Sequence, residues 1–216
     1  MILPSDFLFR LAAGIITLFV ILDPIGALPF FQAFTANLSS EQRRKLASRS
    51  VLIAMGLLLV FAYLGTLILS LLGIVISDFE IAGGLLLLIF ALRDALSSEP
   101  LGASDTSHAS KTTASKSLET LAVIPIATPL LAGPGSLTTV ILLTRASYYG
   151  VIVATVAILV DCGLALAAFR ATDRLNKWIG PSGLLIIGKV MDILMAAIAV
   201  SYLFEGIQGS IHALGY

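Results

Sequence analysis

The chain alternates long apolar runs with short polar intervals. Apolar residues dominate over residues 7–34, 49–72, 79–96, 118–143, 149–169 and 183–207. At about 1.5 Å of rise per residue, roughly 20 helical residues cross a hydrocarbon core of about 30 Å. Each run approaches or exceeds that length, so the pattern predicts six transmembrane helices. Residues 35–45 read as a loop, with Ser39 or Ser40 as N-cap and Glu41 or Gln42 behind it. Residues 73–78 read as a short turn and residues 170–177 as a charged turn. Residues 97–117 are the one extended polar region, rich in Ser, Thr and Ala, with the composition of a flexible linker. The expected layout is a first three-helix repeat over 1–96, a cytoplasmic linker over 97–117 and a second three-helix repeat over 118–216.

Two of the six runs are interrupted where a spanning helix should continue. The first carries Leu22-Asp23-Pro24-Ile25-Gly26-Ala27-Leu28-Pro29-Phe30-Phe31, the fourth Ala127-Thr128-Pro129-Leu130-Leu131-Ala132-Gly133-Pro134-Gly135-Ser136. Both place two prolines five apart, Pro24/Pro29 and Pro129/Pro134, and Ala27 and Ala132 share the same internal offset. Proline removes a donor and clashes with the preceding turn, and it pushes the residue before it out of the α region. The first run should therefore split into a half-helix ending near Leu22 and another starting near Leu28. Matched interruptions in two halves are the sequence pointer to a transporter's binding site.

Charge sets the orientation. With the loop after the first run inside, Arg43, Arg44, Lys45, Arg49, Arg93, Lys111, Lys116, Arg170, Arg174, Lys177 and Lys189 are all cytoplasmic, and only Arg10 and Arg145 lie outside. Both termini then face outward. Three helices per half is an odd number, so the second half enters from the opposite side. The repeat is an inverted one, with helices 1 and 4 broken at mid-membrane. The first run, with Asp6 before Arg10 and no plausible cleavage site, reads as a retained helix rather than a leader.

Composition agrees. The chain is 58% hydrophobic and 12% charged, with a mean hydropathy of +1.02. Soluble domains are about 25% charged, so the class is an all-α integral membrane protein. Net charge is zero and no basic patch exceeds short loop clusters, which argues against nucleic-acid binding. The single cysteine, Cys162, cannot form an intrachain disulfide and reads as a packed thiol. No metal-ligand spacing of Cys or His, no phosphate-binding loop and no nucleophile elbow occurs, so neither a cofactor nor a metal is expected.

Irregular backbone at mid-depth survives only when buried in protein or lining a wet cavity. The helix that restarts after a break presents free N–H groups and the positive end of its dipole. Gly26, Ala27 and Leu28 would supply such donors in the first half, Gly133, Gly135 and Ser136 in the second. Together they suit a small anionic group such as an amino-acid carboxylate. Asp23 and Thr128 could hold an ammonium, and the small residues leave room only for a small ligand. Pro24, Pro29, Pro129 and Pro134 would double as hinges. The plain alternative is that these residues merely kink helices for packing.

Asp161 lies mid-run between Val160 and Cys162. It is a candidate protonatable carboxylate for coupling, or a neutral acid donating one interhelical hydrogen bond. Lys189 and Asp192, spaced i and i+3, can neutralise each other. Thr138 and Thr139 follow Gly135 by one turn; they line a cavity or bond their own i−4 carbonyls. Glu205 reads as wet. Gly56, Ala62 and Gly65 read as points of close helix approach.

The Asp23-Pro24-Ile25-Gly26 and Leu28-Pro29-Phe30-Phe31 run, the Ile81-Ala82-Gly83-Gly84 start of the third run and the Ile124-Pro125 to Gly133-Pro134-Gly135 run resemble the MarC family, also described as SnatA-like small neutral amino acid transporters. The resemblance covers nearly the whole chain in length, motif order and layout. It implies a secondary transporter for glycine, alanine and similar amino acids, driven by a proton or ion gradient, in the plasma (inner) membrane. The chain departs from the family pattern at Ala27, where relatives commonly carry Asn, a position that bears on ligand preference.

The expected function is thus secondary active transport of small neutral amino acids by alternating access, with Asp161 as coupling candidate and no enzymatic activity. Partners would be the amino acid, a coupling proton or cation and the bilayer; a homo-oligomer is compatible with so small a carrier. One alternative is a channel or exporter of other small solutes. Ranked below it is an intramembrane aspartyl hydrolase using Asp23 and Asp161, which needs two carboxylates sharing one proton.

Overall fold

Helix α1 spans Ser5–Leu22 and stops at Asp23-Pro24; α2 resumes over Ala27–Thr35. Helices α3 (Ser40–Leu71), α4 (Ile76–Leu96), α5 (Pro134–Arg145), α6 (Gly150–Arg170) and α7 (Thr172–Ala213) follow among the described residues. The computed structural model describes residues 5–36, 38–96 and 131–213, and every element among them is helical. The linker over 97–117 and the first part of the fourth apolar run lie outside the described residues.

Among the described residues three helices are long and apolar enough to cross a membrane: Ser40–Leu71, Gly150–Arg170 and the part of α7 over Ser182–His212. Helix α4 matches α6 in length but carries Asp78 and Glu80 at one end and Arg93 and Asp94 at the other. The break between α1 and α2 falls where the sequence places it.

Two polar intervals turn out helical. Residues 40–45, expected as loop, form the first turns of α3. Gln42 N–H donates to Ser39 Oγ at 3.3 Å and Ser39 N–H to Gln42 Oε1 at 2.9 Å, a reciprocal cap that satisfies two end donors. Lys45 pairs with Glu41 one turn away at 2.8 Å. The charged turn expected over 170–177 is also corrected. The chain turns at Ala171, and residues 172–179 form a short helix that ends at Gly180, with φ 74° and ψ 163°. Thr172 Oγ1 donates back to the Phe169 carbonyl at 2.7 Å, and Leu175 packs on the core. Those contacts outweigh the turn-like composition.

Helices α3 and α6 run antiparallel. Arg170 Nη2 donates to Ser48 Oγ at 2.9 Å near one end, and the Tyr63 and Thr155 hydroxyls bond at 3.1 Å near the other. Helices α4 and α7 form a second antiparallel pair whose backbones nearly touch. A Cβ on Gly84 would lie 2.9 Å from the Ala199 carbonyl oxygen, and one on Gly206 would lie 2.7 Å from that of Ser77. Such close approach is what small residues permit between membrane helices. Gly65 does the same against Ile141, as expected, whereas Gly56 faces open space.

Helix α1 lies along α6 in the same direction. Phe7 meets Tyr149 edge-on at 5.6 Å, Gly14 abuts Val153, and beyond the break Phe31 stacks on Phe169 at 4.6 Å. The main core joins Leu18, Leu22, Leu28 and Phe31 to Leu58, Leu131, Ala157 and Cys162. Cys162 is a buried free thiol.

These pairings sort the basic residues. Arg43, Arg44, Lys45, Arg49, Arg93, Arg170, Arg174, Lys177 and Lys189 lie at one end of the bundle. Arg10 and Arg145 lie at the other, where Arg10 Nη1 donates to the Ala146 carbonyl at 3.1 Å. The first and last described turns both lie at this base-poor end, since Gly209 packs on Ser77 at the start of α4.

Candidate functional site

The first break is closed from within. Asp23 adopts φ 40°, a left-handed conformation uncommon outside glycine that Asp tolerates better than most residues. Its Oδ1 accepts the Gly26 N–H at 3.0 Å, and its carbonyl accepts the Ala27 N–H at 3.0 Å. Leu28 N–H donates to the Ile25 carbonyl at 3.1 Å. The three donors expected to face a ligand are therefore engaged in the turn itself. The reason is the short Asp side chain, which folds back to accept a backbone N–H three residues on. Leu28 is fully buried and Ala27 nearly so, both in the core.

The second break differs. Gly133 is extended (φ −78°, ψ 174°) and caps α5 without any side-chain hydrogen bond, and Pro134 follows at the first helical position. Gly135 and Ser136 lie in the first turn, whose N–H groups have no intrahelical acceptor. Both are buried. Ser136 Oγ donates to the Leu131 carbonyl at 2.9 Å, fixing the approach to the helix. Thr138 and Thr139 donate to the Pro134 and Gly135 carbonyls at 2.9 and 2.8 Å. Thr139 also accepts the buried Tyr202 hydroxyl at 3.0 Å. Thr128 and Pro129 lie outside the described residues.

The two breaks meet. A Cβ on Gly135 would lie 3.3 Å from Ile21 Cγ2, two residues before Asp23, and 2.5 Å from Leu87 Cδ1 on α4. Gly26 is backed by α7, where a Cβ on Gly188 would lie 3.8 Å from the Gly26 Cα.

Asp161 lies level with this junction. It sits midway along α6 between Val153, which meets Gly14, and Phe169, which meets Phe31. That places it at the depth of residues 22–23 on the neighbouring α1–α2 segment. It is fully buried, and neither carboxylate oxygen has a hydrogen-bond partner among the described residues. A buried polar group without a partner costs free energy unless something else satisfies it.

A second acidic group escaped the sequence reading. Lys189 and Asp192 form the expected ion pair at 3.9 Å, and Asp192 is nearly fully buried. Lys189 also donates to the Asp94 carbonyl at the end of α4, which brings the Asp94 and Asp192 carboxyl groups near each other and within electrostatic range of Asp23. Asp94 looks in sequence like an ordinary charge at a helix end beside Arg93. The available signal was the i, i+3 pair on the sixth run, which needed a partner helix to face. At the opposite end of the same helix pair, Gly206 packs on Glu80, Glu205 is its chain neighbour, and Glu205 is exposed as expected.

Among the described residues no group of His, Cys, Asp and Glu is arranged to hold a metal ion.

The architecture can be set beside known proteins. The family model for MarC family integral membrane proteins matches residues 8–211. The UPF0056 membrane protein MJ1677 of Methanocaldococcus jannaschii is 33% identical over 90% of this chain and 94% of its own. A UPF0056 membrane protein of Archaeoglobus fulgidus is 33% identical over 90% of this chain and 91% of its own. The UPF0056 membrane protein YhcE of Escherichia coli (strain K12) is 32% identical over 90% of each. No solved structure matches the chain. On the family match and these relatives, the chain belongs to the MarC family of integral membrane proteins.

Proposed function

We propose that the protein is a secondary active transporter of small neutral amino acids, working by alternating access in the plasma (inner) membrane. The observation that carries this reading is the meeting of two helix breaks at the depth of a buried carboxyl group, Asp161, that has no partner among the described residues. In this proposal the uncapped start of α5, at Gly133, Gly135 and Ser136, binds the substrate carboxylate. The Asp23 carboxyl oxygen not engaged by Gly26 faces the ammonium, together with Thr128. The closed Gly26–Leu28 turn shapes the floor. Asp161 takes up the coupling proton or cation.

An inverted 3+3 repeat of six spans fits several of the helix pairings. Exchanging the halves turns the α1–α6 contact into α5–α3, and the α4–α5 contact into the contact of α7 with α1 and α2; all are present. The α3–α6 and α4–α7 pairs map onto themselves. The acid pair Asp94 and Asp192 then mirrors Glu80 and Glu205 at the other end. With the base-rich end taken as cytoplasmic, both termini face outward.

A channel would need a continuous polar lining, which the seam of Leu87, Ile21 and Ala199 does not offer. The hydrolase alternative needs Asp23 and Asp161 to share a proton, yet neither Asp161 oxygen has a hydrogen-bond partner among the described residues.

Counterflow in proteoliposomes tests the proposal. Vesicles loaded with unlabelled glycine or alanine should transiently accumulate the radiolabelled form. Asp161→Asn should keep counterflow and lose gradient-driven uptake. No accumulation with any small amino acid would sink the substrate assignment.

A further inference from the structure

We propose that the short helix over residues 172–179 is a docking site for the headgroup of an anionic phospholipid, with Arg174, Lys177 and Trp178 as its contact face. The helix sits between two apolar spans, α6 ending at Arg170 and the stretch beginning at Ser182. Its level is therefore the membrane surface. The left-handed φ of Gly180 breaks it from the span that follows, so it is not a continuation of that span.

The helix has two faces. Thr172 is buried and Leu175 packs on the core, which fixes the inner face. Arg174, Lys177 and Trp178 are spaced i, i+3 and i+4 and are all exposed, Trp178 at 93%. A tryptophan left uncovered by protein fits a membrane–water boundary, where its ring meets acyl chains and its N–H meets headgroups. Local charge is unbalanced in favour of an anion. Asp173 is taken by Arg43 at 2.7 Å and Glu41 by Lys45 at 2.8 Å. Arg174 and Lys177 have no ion-pair partner among the described residues. A guanidinium and an ammonium one turn from an indole form a phosphodiester-binding face. At the other end of the bundle the α3–α4 connection, residues 72–75, is a bare turn with no basic residue.

Trp178 is the one tryptophan of the chain, so its fluorescence reports on this face directly. The full-length protein is reconstituted in phosphatidylcholine vesicles. These carry a small, equal fraction of either phosphatidylglycerol or phosphatidylcholine brominated near the headgroup end of its acyl chains. Quenching by the anionic lipid should exceed quenching by the zwitterionic one severalfold. The excess should vanish in Arg174→Gln/Lys177→Gln, whose exposed side chains leave the helix content seen by circular dichroism unchanged. Equal quenching by the two lipids would overturn the proposal. So would an excess that survives the double substitution, or emission quenched by aqueous iodide but by neither lipid.

Discussion

The Asp23 carboxylate and the Gly26 backbone occupy the same small volume. Oδ1 accepts the Gly26 N–H at 3.0 Å, and Oδ2 fills the space that a Cβ on residue 26 would require. The acid and the glycine are one device, since each accounts for the presence of the other. Gly26→Ala should force the carboxylate out and cost about 1–3 kcal/mol, from crowding plus one lost hydrogen bond. Asp23→Asn keeps an acceptor and tolerates positive φ, so it should cost under about 1 kcal/mol. Thermal unfolding in detergent separates the two. A Gly26→Ala protein as stable as wild type would show that the turn is not closed this way.

Gly135 presses on Leu87 and Ile21. Gly135→Leu should abolish counterflow by filling the junction of the two breaks. The milder Gly135→Ala should lose much of the activity and regain it when Leu87→Ala is added, since the nearest obstacle is the Leu87 Cδ1 atom at 2.5 Å. Failure of the second substitution to restore transport would mean that the lost N-terminal geometry, and not the lost space, is what matters.

Asp161 lacks partners among the described residues, so its removal should not weaken the fold. Asp161→Leu is expected to raise stability by about 1–3 kcal/mol, the cost of burying an unpaired polar group. It should abolish gradient-driven uptake. A fall in stability of that size instead would assign the carboxyl a structural hydrogen bond.

Tyr202 and Thr139 link α7 to the first turns of α5 through one buried hydrogen bond. Tyr202→Phe should cost about 0.5–1.5 kcal/mol. In a double-mutant cycle with Thr139→Val, most of that cost should disappear, because valine removes the oxygen that accepts the Tyr202 hydroxyl.

Much of this was legible in the residues. Proline and glycine at mid-span located the first break to within a residue or two, because no membrane helix ignores a missing donor. Hydropathy located α3, α4 and α6 well. The failures share one cause: local composition cannot show where a side chain spends its hydrogen bonds. That Asp23 uses one of its two oxygens on its own turn, leaving the other for a ligand, is one such detail. Residues 172–179 looked like a turn because they are charged, yet Leu175 and Thr172 find the core. Asp94 looked like a surface charge until α7 was brought against it.

The seam between α4 and α7 has a mechanical consequence. Where Gly84 meets Ala199 and Gly206 meets Ser77, backbone lies against backbone with no side chain between them. Two rods joined so closely cannot slide or part without opening a void along their length. One rod comes from the first half of the chain and one from the second, so the pair binds the halves into a common beam. Any motion that changes access to the junction must then pivot on that beam.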